Sequence, residues 1–79
     1  MADQPLTANQ VHCAPFLNGR VGETVLVLTS GYDVAPQAQK AAVGYASSAA
    51  LRGLEARGYI RIDAAFWRGA TITVLRDIT

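Results

Sequence analysis

Along the last third of the chain the spacing of apolar positions changes period, and this change predicts the main elements. Between Ser47 and Gly58 the apolar residues Ala50, Leu51 and Leu54 fall on one side of a helical turn, leaving Ser48, Arg52 and Glu55 for the other. From Tyr59 the period is two: Ile60 and Ile62 share one face, and Tyr59, Arg61 and Asp63 the other. A second alternating run, ATITVLR, sets Ala70, Ile72 and Val74 together. The pattern predicts a helix capped by Ser47 or Ser48 and closed by a left-handed Gly58, with Tyr59 supplying the apolar contact of that cap. An antiparallel hairpin follows, its loop placed at 64–69. Gly53 inside the helix costs about 1 kcal/mol relative to alanine, so its presence predicts the close approach of another backbone.

Upstream, Thr7 and Gln10 have the spacing of a capping box for a helix from about Ala8. Val11, Ala14, Phe16, Leu17 and Val21 supply apolar positions, but Pro15 lacks a backbone donor and clashes with the preceding turn, so the helix should kink or break there. It should end at NGR, where Asn18 and Gly19 accept left-handed angles. ETVLVLT, 23–29, is too short and too β-branched for a helix. It predicts a strand that is covered on both faces or that keeps one apolar face for a partner. In the alanine-rich stretch that follows, Pro36 suits the first turn of a short helix to about Ala42, with Gly44 ending it. Residues 1–6 read as a flexible end, and 7–79 as one small domain of α+β class, with helices packed on an antiparallel sheet that ends in a hairpin over about 59–76.

Composition narrows this picture. The hydrophobic share is 51% of 79 residues, but fourteen of those residues are alanine. A chain of this length buries only about 60% of its unfolded surface, so stability should be modest or helped by a partner. No apolar run reaches the length of a membrane span, and MADQPLTANQ lacks the basic and apolar regions of a signal peptide. With a single cysteine, the expectation is a cytoplasmic protein in a reducing compartment. The formal charge of +1 falls far short of the basic footprint of a small nucleic-acid binder.

Candidate chemistry is sparse. His12 and Cys13 are neighbours, but adjacent helical side chains diverge and there is no second histidine or cysteine to complete a metal site. The pair reads as a half-buried histidine beside a small apolar cysteine. GRVG at 19–22 has the G-x-x-G spacing of a backbone clamp, yet a strand follows where that clamp needs a helix, so it reads as a turn. TSG and GYD lack the strand–loop–helix setting of a phosphate cradle, and the one lysine, Lys40, lies elsewhere. Asp3, Glu23, Asp33, Glu55, Asp63 and Asp77 are scattered. The expectation is a protein that is not an enzyme and takes no metal, cofactor or small-molecule substrate. FWR at 66–68 is the most informative cluster: its aromatics either fold back onto the core or form an exposed aromatic-plus-arginine patch, the composition of interface hot spots.

The run L-x-x-L-E-x-R-G-Y-I, carried by Leu51, Leu54, Glu55, Arg57, Gly58, Tyr59 and Ile60 and followed by a hairpin, is similar to the end of a winged helix-turn-helix domain. That resemblance implies a last helix that reads the major groove and a wing tipped by AFWRG, with Ser48, Arg52, Arg57 and Arg68 toward DNA, as in a transcriptional regulator. Glu55 and Asp63 stand against this, since phosphate contacts dominate affinity. In size and near-neutral charge the chain also resembles the small inhibitors of phages and mobile elements, of which anti-CRISPR proteins are a group. That likeness implies a non-catalytic module that binds a protein, such as a CRISPR effector complex, and occludes its nucleic-acid surface. The favoured contact is Trp67 and Arg68 with Phe66, extended by Tyr59 and Arg61.

Overall fold

The computed structural model describes residues 6–29 and 35–78, so the flexible end expected at 1–6 and the GYD segment fall mostly outside the described residues. Leu6 itself is half-buried and packs against the core. The N-terminal helix is broken as Pro15 requires, into α1 (Ala8–Val11) and α2 (Ala14–Leu17). The capping box is present: Thr7 Oγ1 accepts the Gln10 N–H at 3.3 Å, and Gln10 Oε1 accepts the Thr7 N–H at 2.9 Å. At the far end only Gly19 is left-handed, with φ 82°, while Asn18 is extended. The Asn18 side chain instead accepts the Ile78 N–H at 2.7 Å, and Asp77 accepts the Gly19 N–H at 2.8 Å. The residues after the last strand are thereby strapped to α2.

β1 (Thr24–Leu28) follows, then α3 (Pro36–Ala41) and β2 (Ala42–Tyr45). α4 (Ser48–Ala56) leads to β3 (Ile60–Phe66) and β4 (Gly69–Val74). The strands form one mixed sheet in the order β2-β1-β4-β3. β4 runs antiparallel to both neighbours, but β2 is parallel to β1, so the sheet is not the wholly antiparallel one expected. β2 also replaces the end that Gly44 was expected to give to α3. Its identity is decided by tertiary fit: a Cβ on Gly44 would occupy the place of the Phe16 ring. Glycine there lets α2 sit down on the sheet, and the resulting strand is too alanine-rich to announce itself.

Cys13, at the start of α2, and Leu17 within it join Leu51 and Leu54 of α4 over Val25, Val27, Ile60, Ala70, Ile72 and Val74, alternate positions on one face of the sheet. Burying apolar surface in this way is the main drive to fold, about 25 cal/mol per Å² removed from water. Val27 and Leu28 are sequence neighbours with opposite side-chain directions, and both are fully buried, so the end of β1 is covered on both faces. Gly53 makes its close approach to a side chain, not to a backbone: the Gln10 amide lies where its Cβ would be. In the hairpin the turn is only Trp67 and Arg68, since Ala64, Ala65 and Phe66 pair with Thr71, Ala70 and Gly69. Two alanines gave no strand signal, which is why the loop looked longer. A bulge at Asp63 shifts the register, placing Ala65 opposite Ala70. Among the described residues, no helix is long and apolar enough to cross a membrane.

Candidate functional site: a groove between the last helix and the hairpin tip

Local chemistry fixes α4 at both ends. Ser47 Oγ accepts the Ala50 N–H at 3.1 Å. At the other end the Tyr59 N–H reaches the Leu54 carbonyl and the Gly58 N–H that of Glu55, both at 3.0 Å, with Gly58 at φ 80°. This double closure is the left-handed cap expected for Gly58, and it turns the chain back so that β3 runs beside the helix it has just left. Glu55 Oε2 then accepts the Ile62 N–H at 2.7 Å, tying helix to strand just before the bulge.

Beyond that tie, towards the hairpin tip, α4 and the sheet part to leave a groove of about 480 Å³. Ser48, Arg52 and Glu55 form its helical wall, and Phe66 and Trp67 its opposite rim. Its floor is apolar and made of small residues: Ala65, Gly69 and Ala70, with Leu51 beneath the helix. On the sheet's other face Gly69 is constrained to be small, because a Cβ there would lie 2.7 Å from the Val27 carbonyl oxygen, beside Leu28. Trp67 is 82% exposed and Phe66 51%, so the aromatic pair does not fold back onto the core. The Arg68 guanidinium stacks on the Trp67 ring at 4.8 Å.

The structure therefore gathers Phe66, Trp67, Ser48 and Arg52 around one depression, with Arg68 on the tip beside it. The other expected contact residues lie apart. Tyr59 is half-buried against the core, with the Arg76 guanidinium 3.9 Å over its ring. The Arg57 carbonyl accepts from Arg76 Nη2 at the end of α4 away from the tip. Arg61 bonds Asp63 Oδ1 at 2.8 Å and Thr73 Oγ1 at 3.3 Å. The Thr73 hydroxyl donates to Asp63 Oδ2 at 2.6 Å, and this bond, then the Arg61 guanidinium, holds the Asp63 carboxyl below its ordinary value. Sequence reasoning missed Leu51, Glu55, Ile62 and Ala65 as groove residues. The helical period could have flagged Glu55 beside Arg52, but the place of Ala65 depends on the bulge.

His12 is exposed, not half-buried as expected. It lines a second depression of about 320 Å³ with Asn9, Tyr45 and Ser47. Cys13 is fully buried, its Sγ 3.6 Å from the Asn9 carbonyl, and burial pushes its thiol pKa up, which disfavours the thiolate. Among the described residues, no three His, Cys, Asp or Glu side chains are grouped as metal ligands would be. No family model, curated protein or solved structure matches this chain.

Proposed function

We propose that this protein is a non-catalytic module that binds another protein through the groove between α4 and the hairpin tip. The observation that carries the reading is the exposure of Trp67 and Phe66 at the rim of an apolar depression. A tryptophan held in water at the tip of a tight turn does nothing for the core, whereas a partner that covers it gains a large apolar contact. The stacked Arg68 adds positive charge to the same patch, and aromatic-plus-arginine clusters of this kind carry much of the energy at interfaces. With a net charge of +1, little long-range attraction to nucleic acid competes with that contact. In the form implied by the resemblance to phage-borne inhibitors, the bound protein is an effector complex whose nucleic-acid surface is occluded.

A photo-crosslinking residue placed at Trp67 and at Ala65, in the cell that makes the protein, tests this. The expected result is the same protein adduct from both positions, and reconstitution of that complex from purified components. Adducts from a distant exposed position such as Val21 alone, or nucleic-acid adducts from Trp67, would contradict it.

A winged-helix DNA-binding regulator is supported by a separate observation. Ser48 and Arg52 lie on the open side of α4 beside the hairpin, the helix-then-wing placement which that resemblance implies. On that reading duplex DNA binds in a sequence-dependent manner, weakens steeply with salt as counterions are released, and is lost in Arg52→Ala. Absence of such binding at physiological salt removes this reading.

A further inference from the structure

We propose that the groove accepts a partner segment pairing one large apolar side chain with a carboxylate, an acidic-hydrophobic peptide and not a basic or neutral one. The inference rests on the protein-binding reading and adds the chemistry of the occupant.

The groove's shape supplies the first half. Its floor at Ala65, Gly69 and Ala70 carries no side chain beyond the methyl groups of Ala65 and Ala70, which are paired across the hairpin. The depression is thus a hole left between the larger walls of Leu51, Phe66 and Trp67, and only a bulky apolar group from outside fills it. Such a group exchanges water on an apolar floor for dispersion contacts.

The charges supply the second half. The wall holds one cation and one anion, Arg52 and Glu55, but they are not equivalent. Glu55 Oε2 already accepts the Ile62 N–H at 2.7 Å. Arg52 is exposed and forms no ion pair with any described residue. Arg68 adds a second cation beside the rim, stacked on Trp67. A carboxylate on the occupant can therefore reach a guanidinium whose donors face water, with bidentate geometry open to it. A basic occupant would meet the positive charge of Arg52 and Arg68, offset only by Glu55, one of whose two oxygens already accepts the Ile62 N–H. A nucleic-acid backbone has the anion but no knob for the floor.

Panning a random-peptide phage library against the full chain, then measuring affinities of the synthesised winners, tests the proposal. The expected winners combine Trp, Phe or Leu with Asp or Glu at a recurrent spacing. Their binding should weaken about tenfold in Arg52→Ala, the change given by a contact worth ~1.4 kcal/mol, and should weaken as salt rises. Ala65→Leu, which fills the floor at an exposed position, should abolish binding with the melting temperature unchanged. Winners that need Trp67 and are blocked by Ala65→Leu, but carry no acidic residue or ignore Arg52→Ala, would overturn the acidic-occupant proposal and leave the protein-docking groove standing. Winners indifferent to both Trp67→Ala and Ala65→Leu would overturn the proposal together with the reading beneath it. So would an absence of winners with duplex DNA bound in an Arg52-dependent manner.

Discussion

Glu55 Oε2 accepts the backbone N–H of Ile62 at 2.7 Å, so a helical side chain satisfies a donor on the outer edge of β3. The contact joins two residues that line the groove, one residue before the bulge at Asp63. It also blunts an edge strand, since an engaged N–H cannot pair with another chain. Glu55→Ala should cost about 1 kcal/mol in urea unfolding, the usual net worth of such a bond. Glu55→Gln keeps an oxygen acceptor and should recover part of that loss. Equal stability of all three proteins would show that the tie contributes nothing.

Gly53 and Gln10 should be coupled. Alanine is worth about 1 kcal/mol over glycine inside a helix, yet a Cβ at Gly53 would displace the Gln10 amide, whose oxygen closes the capping box on Thr7. Gly53→Ala alone should therefore gain little or lose stability. In a Gln10→Ala background, where the space is open, the same substitution should be stabilising. A double-mutant cycle reads the difference directly, and additive effects would contradict the packing described.

Asp63 sets an acid limb of stability. Its folded pKa lies below the ordinary aspartate value because the Thr73 hydroxyl and the Arg61 guanidinium stabilise the carboxylate. A depressed value means that its contribution is fully present above the unfolded pKa of about 3.9 and is lost as pH falls through the folded value. Asp63→Asn should be less stable than wild type at neutral pH, and the gap should narrow below about pH 4. A gap independent of pH would show that the charge is not what the cluster uses.

What the sequence disclosed follows a physical line. Elements decided by local chemistry were legible: the capping box at Thr7 and Gln10, the break at Pro15, the Ser47 cap, the Gly58 closure, and the inward Ile60, Ala70, Ile72 and Val74. Elements decided by distant neighbours were not. β2 is a strand because β1 lies beside it and Phe16 above Gly44, and AVGY carries no period that says so. The bulge at Asp63 and the two-residue turn were hidden by alanines that pair without advertising it. Of the candidate site, the FWR cluster and Arg52 were visible as residue types. Their meeting across a groove was not, because it depends on how far α4 reaches along the sheet. Tyr59 and Arg61 were drawn in by strand alternation alone, and each is engaged elsewhere.

On the proposed function, the hairpin tip serves binding and not folding. The most direct test is the variant Trp67→Ala, followed by one thermal melt and one binding titration against the partner recovered by crosslinking. Trp67 is 82% exposed, so the expected result is a melting temperature close to wild type and loss of binding, as removal of a hot spot gives. A variant that binds its partner as tightly as wild type would contradict the claim. So would one that unfolds, since Trp67 would then belong to the core.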